Sequence, residues 1–240
     1  MHDALTRLTV VVPVGPGDAV SPALLAQLTT LAREAEVVVV EADTARVAPH
    51  PTSHPPDGLH WQSIAATPGR AAQQNAGAAA ATRDWLWFLH ADSRLASMTL
   101  PALARFVQRD EAALGYFELR FLDDGPVLMP LNALGTRLRS AWLGLPFGDQ
   151  GLVLPRRVFD QLGGFDTALT RGEDHDLVWR VRRAGVVLRG VGAPLYTSAR
   201  RYAERGWWTM TSDHLQETWR QARQFSRVEG MPRKQSGDAP

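Results

Sequence analysis

An apolar run at 85–89, Trp-Leu-Trp-Phe-Leu, stops abruptly at His90 and Asp92 near the middle of the chain. The run predicts a buried strand, so the carboxylate that follows it is expected at the carboxyl edge of a sheet. Open α/β folds bind their ligands outside this edge. Asp92 is therefore the first candidate for a residue that contacts a ligand, and the later pair Glu173 and Asp174 forms a second acidic site.

Composition limits the size and the class of the protein. The chain has 240 residues, of which 45% are hydrophobic and 21% are charged, and this is enough for one full-sized core. We expect one domain over residues 1–202, an amphipathic helical appendage over 203–230 and a disordered tail over 231–240. The formal net charge of +1 gives no polyelectrolyte signal, so nucleic acid is not expected as a partner.

Cysteine usage and hydropathy exclude further classes. The sequence contains no cysteine, which removes disulfides, thiolate metal sites and thiol nucleophiles. No stretch approaches about eighteen uninterrupted apolar residues, and no basic segment followed by a long apolar stretch opens the chain. Neither a spanning helix nor a signal peptide is therefore expected. We expect a cytoplasmic protein, either soluble or peripheral at the inner face of the plasma membrane.

Short β-branched runs alternate with segments of helical periodicity. Leu8–Val14 and Val37–Val40 are predicted strands, and leucines spaced between them predict a connecting helix, which makes the two strands parallel. Further strands are predicted at 59–65 and 116–121, and further helices at 71–81, 100–107, 155–162 and 173–184. The alternation predicts an α/β fold with a mixed, mostly parallel sheet and helices on both faces.

Two regions depart from this alternation. Residues 44–58 are rich in proline and histidine and predict an exposed loop. In the C-terminal region, apolar residues fall near helical spacing among arginines, at Trp207, Trp208, Leu215, Trp219, Ala222 and Phe225. This predicts an amphipathic helix, which is expected either to lie on an anionic membrane surface or to pack on the domain or on a second subunit.

Several motifs occur together in an order that is typical of one family. They are residues 10–14 (VVVPV), 36–41 (EVVVVE), 69–78 (GRAAQQNAGA), 88–92 (FLHAD), 148–151 (GDQG), 162–165 (LGGF) and 172–177 (GEDHDL). Each motif alone is weak, but the ordered set resembles family 2 glycosyltransferases of the GT-A fold over roughly residues 8–202. The chain looks most like the compact bacterial branch that includes carotenoid glycosyltransferase-like proteins.

The resemblance implies an enzyme that moves a sugar from a nucleotide diphosphate sugar to a hydroxyl acceptor. A lipid or carotenoid-like acceptor would fit the aromatic C-terminal region and the apolar residues between 127 and 145, which are equally compatible with interior packing. The resemblance also implies a Mn²⁺ or Mg²⁺ ion at Asp92, because such an ion bridges a carboxylate and phosphate oxygens. His90 stands where the family usually has its first metal acid, and either it binds the metal or it packs at the strand end. Asp174 resembles the general base, while Glu173 is expected to orient the acceptor. One base implies a single displacement with inversion.

On the donor side, the resemblance assigns further candidate residues. Glu41 sits where the family commonly binds the nucleoside with an aspartate, and Asp43 is an alternative for this role. Arg70 is expected to reach the nucleotide or the diphosphate. Arg200 and Arg201 belong to a late segment that resembles the part of the family that closes over the diphosphate. For each of these residues, an ordinary surface position remains the alternative interpretation.

Asp149 and Gln150 resemble the acceptor-side motif of the family, and a purely structural turn is the alternative. For Asp174, the alternative is a carboxylate that caps the start of a helix. Negative side chains in a first helical turn gain roughly 0.3–1 kcal/mol from the helix dipole. The same field is expected to lower the pKa of Asp174 and to weaken it as a base.

Three other functions remain open from the sequence. A nucleotidyltransferase also needs a metal and a nucleotide, but residues 14–18 carry no basic side chain of the kind its usual signature contains. A nucleotide-binding module without turnover would explain His90 and Glu41 at positions where the family usually has aspartate. His175 and Asp176 suggest a metal-dependent phosphohydrolase, but that class is helical and needs further histidines on several helices.

Overall fold

The structure is a computed structural model, and it describes residues 2–43, 58–126, 128–138, 140, 145–200 and 202. The loop predicted at 44–58, apart from Gly58 itself, lies outside the described residues. The appendage predicted at 203–230 and the tail predicted at 231–240 also lie outside them.

The described residues form one eight-stranded sheet. Its strands are β1 (Leu8–Val14), β2 (Glu36–Ala42), β3 (Trp61–Ala66), β4 (Trp85–Phe88), β5 (Arg94–Leu95), β6 (Ala113–Phe121), β7 (Val153–Pro155) and β8 (Val187–Thr197). Their order is β3-β2-β1-β4-β7-β6-β8-β5. The first four strands in this order are parallel, β7 is antiparallel to both neighbours, and β6 and β8 are parallel. The predicted mixed, mostly parallel sheet is thereby confirmed.

Seven helices accompany the sheet in the described part of the chain. They are α1 (His2–Leu5), α2 (Pro22–Leu31), α3 (Arg70–Ala80), α4 (Thr99–Gln108), α5 (Met129–Leu138), α6 (Arg156–Gln161) and α7 (Glu173–Arg183). The start of α2 shows why the sequence forms a helix there. Ser21 Oγ accepts a hydrogen bond from the backbone nitrogen of Leu24 at 3.3 Å, and Pro22 occupies the first turn, where its missing N–H costs nothing.

Helices cover both faces of the sheet, as predicted. Alternate residues of β1 point to opposite faces, so Val10 joins one hydrophobic cluster and Val11 joins the other. The first cluster contains Leu24 and Leu28 of α2, and the second contains Leu177 of α7. The two clusters hold the sheet between helical layers and leave the carboxyl edge of β1, β2 and β4 for the connecting loops. None of the described helices is both long enough and apolar enough to cross a membrane.

Candidate active site

The first acidic site follows β4, a fully buried strand of the sheet. All four residues of β4 are buried, and the backbone nitrogen of Leu89 donates to Val11 O at 3.0 Å, so pairing with β1 continues one residue past the strand. The chain then turns sharply, because the backbone nitrogen of Ser93 donates to His90 O at 3.1 Å. This turn sets His90 and Asp92 half-buried at the carboxyl edge, where the sequence predicts them.

The second acidic site is the first turn of α7. Gly172 precedes the helix with φ of 82°, a conformation that favours glycine, and it leads directly into Glu173 and Asp174. Both acids are buried, at 4% and 6% exposed, although they are charged residues at a helix terminus. The apolar face of α7, with Leu177 and Val178 fully buried, fixes the helix against the sheet. Burial of the acid pair is therefore imposed by the packing of the helix that carries it.

A 3-10 turn, Gly148–Gln150, packs directly on Asp174. A Cβ atom at Gly148 would overlap both carboxylate oxygens of Asp174, so only glycine fits at this position. Gln150 is 1% exposed and holds the turn from inside. Its Oε1 accepts from Ser140 Oγ and from the Phe147 backbone nitrogen, both at 2.9 Å, while its Nε2 donates to Phe117 O at 3.0 Å.

These bonds favour the structural role that the sequence left open for Gln150 over a contact with the acceptor. Its side-chain amide is engaged by the surrounding chain, and it does not line the cavity in front of Asp174. Asp149, by contrast, lines that cavity. The turn therefore has one residue that holds it in place and one that faces the cleft.

Arg70, the first residue of α3, approaches the acid pair from the opposite wall. Its Nη1 atom lies 3.4 Å from Glu173 Oε1 and 3.7 Å from Asp174 Oδ2. The ion pairs join residues that are far apart in the chain, and no local pattern in the sequence indicates them. Oδ1 of Asp174 has no hydrogen-bond partner among the described residues.

The pKa of Asp174 is raised from its ordinary value of 3.8 to about 7. The largest cause is burial, which disfavours the charged form, and the nearby carboxylates of Glu173 and Asp149 add to it. Arg70 and a hydrogen bond from Gln74 act in the opposite direction. The prediction that the helix field lowers this pKa is therefore wrong, because loss of hydration outweighs the field at this buried position.

Two neighbouring cavities meet at Arg70, His90, Asp92 and Ser198. The small cavity, of about 250 Å³, lies at the ends of β1 and β4 and is also lined by residues 13, 15, 16, 18, 19, 69, 73, 91 and 200. The central cavity, of about 470 Å³, lies in front of the acid pair and is also lined by residues 121, 147–149, 170–175, 197 and 202. Asp92 and the acid pair thus belong to one continuous cleft.

The late segment closes one side of this cleft. Asp124 accepts hydrogen bonds from Ser198 Oγ at 2.6 Å and from the Ala199 backbone nitrogen at 2.7 Å. The ring of Tyr202 packs edge-on against Phe121, with centroids 5.8 Å apart. Sequence reasoning missed Asp124, which lies in an irregular loop and carries no motif. The bonds hold the backbone beside Arg200, which lines the small cavity, while Arg201 lies outside the described residues.

Part of the chain matches a known protein family. Residues 65–165 match the model of the family described as glycosyl transferase family 2. The match covers 101 of the 240 residues, from the end of β3 to the loop after α6, so this segment of the chain is similar to family 2 glycosyltransferases. No curated protein matches the sequence significantly.

Solved structures show the same fold as this chain. S. aureus TarS in complex with UDP-GlcNAc matches with a TM-score of 0.59 at 16% identity, over 80% of this chain and 58% of that chain. The mannosyltransferase PcManGT from Pyrobaculum calidifontis, in complex with GDP-Man and Mn²⁺, matches with a TM-score of 0.59 at 18% identity, over 98% of this chain and 66% of that chain. The chain spans less than two thirds of the length of either protein. These likenesses confirm the GT-A fold.

The residues predicted to contact a nucleoside lie at the same edge of the sheet as the cleft. Glu41 is paired in register with Val14 at the end of β1, and Asp43 follows β2, but neither lines the small or the central cavity. The edge is held by Gln73, which sequence reasoning did not single out. Its Nε2 donates to Val14 O at 2.7 Å and to Val40 O at 2.8 Å.

Asn75 ties two segments of the chain together. Its Nδ2 donates to Phe165 O at 2.8 Å, and its Oδ1 accepts from the Phe165 backbone nitrogen at 2.9 Å. The carboxamide thus joins α3 to the loop after α6, behind the cleft. This pair of backbone bonds gives Asn75 a structural role.

The donor set for a divalent metal is small. The described residues contain no cluster of three or more His, Asp or Glu side chains that could hold an ion. Asp92 and His90 lie together at the junction of the two cavities. Mg²⁺ is commonly held by one or two carboxylates together with substrate phosphates rather than by a complete protein cage. The residues therefore fit an ion that arrives with a diphosphate, not one held by the protein alone.

Proposed function

We propose that this glycosyltransferase transfers a sugar from a nucleotide diphosphate sugar to a hydroxyl acceptor, with Asp174 as general base and inversion at the anomeric carbon. The observation that carries the proposal is the buried carboxyl of Asp174, whose pKa of about 7 suits proton transfer at neutral pH. It faces the central cavity, directly beside the cavity that suits a diphosphate.

The donor occupies the small cavity in this proposal. Arg70 and Arg200 line it and supply the positive charge that phosphate oxygens prefer. Asp92 and His90 hold a Mn²⁺ or Mg²⁺ ion, which supplies charge neutralisation to the departing nucleoside diphosphate. Support comes from the two similar structures, which hold UDP-GlcNAc in one case and GDP-Man with Mn²⁺ in the other. Glu41 or Asp43 contacts the nucleoside.

The acceptor hydroxyl lies in the central cavity against Asp174. The carboxylate takes the hydroxyl proton while the oxygen forms its bond to the anomeric carbon and the bond to the diphosphate breaks. Glu173 and Asp149 orient the acceptor from either side. Because attack comes from the face opposite to the leaving group and involves one base, the anomeric configuration inverts.

An adjoining cavity supports an acceptor with an apolar part. This apolar cavity, of about 610 Å³, lies between the end of β6 and α5 and is lined by Glu118, Leu119, Arg120, Phe121, Leu122, Asp123, Gly125, Pro126, Met129, Ala133 and Leu134. Phe121 also lines the central cavity, so the two spaces adjoin. Leu131 and Leu134 on α5 are 58% and 52% exposed. We therefore propose a lipid-like or carotenoid-like acceptor, which the protein binds at the inner face of the membrane.

A panel of thermal shifts and turnover tests these roles. UDP-GlcNAc, GDP-mannose and other nucleotide sugars are each offered with Mn²⁺, Mg²⁺ or chelator. We expect one donor to raise the melting temperature in a metal-dependent manner in wild type. Asp92→Asn should lose this stabilisation, whereas Asp174→Asn should keep it and lose turnover.

Asp84→Asn is the matched control for Asp92→Asn, because Asp84 lies just before the opposite end of β4 and its side chain is 73% exposed. It should behave as wild type. Absence of a shift with every nucleotide and metal would contradict the donor proposal. Proton NMR of the new anomeric centre tests the stereochemistry, and a product that keeps the donor configuration would contradict a single displacement.

A further inference from the structure

Arg70 lies between the two halves of the cleft. Its side chain lines both the small cavity and the central cavity. Its Nη1 is within 3.4 Å of Glu173 and 3.7 Å of Asp174, and its side chain is 42% exposed, against 5% and 8% for the two acids. The guanidinium therefore reaches a buried acid pair from the solvent side of the cleft, while it remains open to a ligand in the small cavity.

The surroundings of Asp174 are predominantly acidic. Glu173 from the same helix and Asp149 from the 3-10 turn both disfavour its ionisation, as does burial. Arg70 is the strongest opposing influence, and a hydrogen bond from Gln74 is weaker. The other titratable residues that line the central cavity are His90, Asp92, Arg171, His175 and Tyr202. A base in such a place needs a cation nearby to stay in the form that accepts a proton.

We propose that Arg70 is a positioning residue for the base, because its guanidinium keeps Asp174 ionised in addition to any contact it makes with the donor. This inference rests on the proposed function, in which Asp174 is the base. It goes beyond the diphosphate contact that the sequence implies for Arg70. One cation then serves both reacting partners: it attracts the phosphates of the donor and holds the base ready for the acceptor.

The effect of Arg70 on Asp174 is measurable without an acceptor. Arg70→Gln removes the charge and keeps a polar side chain, so Asp174 should need a higher pH to ionise. A buried acid whose pKa is raised by folding stabilises the folded state at low pH, and this stabilisation is lost as pH rises through the folded pKa. In wild type the loss should end near pH 7, whereas in Arg70→Gln it should continue at higher pH, by up to about tenfold in the unfolding equilibrium constant per pH unit.

The experiment is urea unfolding of six proteins at pH values from about 5 to 9. The proteins are wild type, Arg70→Gln, Arg70→Lys, Arg171→Gln, Asp174→Asn and the double variant Arg70→Gln/Asp174→Asn. Only Arg70→Gln should show the additional loss of stability above pH 7. Arg70→Lys should restore the wild-type profile because it keeps the charge. Arg171→Gln, which removes another arginine of the same cavity, should follow wild type.

The double variant decides whether Arg70 acts through Asp174. With asparagine at 174, Arg70→Gln should add no pH-dependent loss. The inference would be overturned if Arg70→Gln still caused an additional loss of stability above pH 7 in the Asp174→Asn background. It would also be overturned if the single variant Arg70→Gln showed no such loss. Calorimetric titration with UDP-GlcNAc and GDP-mannose tests the proposed function separately. Binding of either donor together with an unchanged pH profile of stability in Arg70→Gln would overturn this inference alone. Absence of binding by every nucleotide sugar of the thermal-shift panel, with either metal, would contradict the donor proposal and with it the catalytic role of Arg70.

Discussion

Glu36 and Asp174 lie at opposite ends of the sheet and are equally buried, but their pKa values are shifted in opposite directions. Glu36 is 5% exposed at the start of β2, and Asp174 is 6% exposed at the start of α7. The pKa of Glu36 lies below its ordinary value although burial raises it, whereas that of Asp174 is raised to about 7. Burial alone therefore does not decide whether an acid is inert or reactive.

The difference lies in the hydrogen-bond donors that each carboxylate finds. Glu36 accepts four hydrogen bonds, from Thr9 Oγ1 at 2.5 Å, Thr82 N at 2.8 Å, Thr82 Oγ1 at 3.0 Å and Gln62 Nε2 at 3.0 Å. These donors stabilise its charged form. Asp174 has acidic neighbours and one arginine at 3.7 Å. A carboxylate whose two oxygens both accept hydrogen bonds has a structural role. A carboxylate with few hydrogen-bond donors around it is available for proton transfer.

Asp174→Asn should produce the largest difference between the two sites. Loss of a general base typically costs about 10²- to 10⁴-fold in turnover. Product formation under saturating donor measures it, with Glu36→Gln as the control that keeps its activity per folded molecule. A fall of less than about tenfold in the Asp174→Asn protein would remove Asp174 from the base role.

The pH dependence of stability should have opposite signs at the two sites. Asp174 stabilises the fold below its unfolded pKa, near 3.8, and this contribution is lost as pH rises to about 7. Asp174→Asn should therefore gain stability relative to wild type by up to about 1.4 kcal/mol per pH unit over this interval. Glu36, with its lowered pKa, stabilises the fold above its unfolded pKa and loses this contribution as pH falls. Chemical unfolding of the wild type and of the two variants across the pH range measures both contributions to the free energy of unfolding. If both contributions change in the same direction with pH, the two carboxylates do not have opposite pKa shifts.

Glu36→Gln should destabilise the protein by about 3 kcal/mol at neutral pH. Glutamine keeps one acceptor oxygen, and its amide nitrogen cannot accept, so two of the four donors lose their partner: either Thr9 Oγ1 and Thr82 N or Thr82 Oγ1 and Gln62 Nε2. Urea unfolding measures the loss. Asp174→Asn at the same pH should not lower the free energy of unfolding. A decrease of similar size in Asp174→Asn would mean that Asp174 also has a structural role.

Gly148→Ala should destabilise the fold less than Glu36→Gln and should have a selective effect on activity. The added methyl group meets the carboxylate of Asp174, which must move or force the turn aside, at a cost of about 1–3 kcal/mol. Turnover should fall while donor binding persists. Gly190→Ala is the control, because no atom lies within 4 Å of the added Cβ at that position in β8. Wild-type turnover in Gly148→Ala would show that the position of Asp174 is not critical.

The sequence predicted the parts of the fold whose periodicity is local. β1 has the predicted bounds, Leu8–Val14, and α3 starts one residue before its predicted span. β5 and β7 were missed because two or three residues are too short for any periodic signal. β8, Val187–Thr197, was missed because Gly190, Gly192 and Pro194 interrupt its apolar alternation, and only its second half is consistently packed.

The sequence predicted which residues belong to the candidate site, but it did not predict how their side chains contact one another. Asp92 and Asp174 follow from a strand end and from the family motif, and the cleft brings them together. The ion pair of Arg70 with the acids depends on contacts between distant segments, which no local pattern records. The raised pKa of Asp174 also required the packing of Gly148 and α7, because the position at a helix start alone implied the opposite shift.

The ionisation of Asp174 near neutral pH is tested most directly by a ¹³C NMR titration of the aspartate carboxyl carbons in wild type and in Asp174→Asn. We predict one carboxyl resonance that is absent from the Asp174→Asn spectrum and that titrates with a midpoint near pH 7 in wild type. If the resonance that disappears titrates at about pH 4, in the range of an ordinary aspartate, Asp174 is not held near neutrality and the account of the base is contradicted.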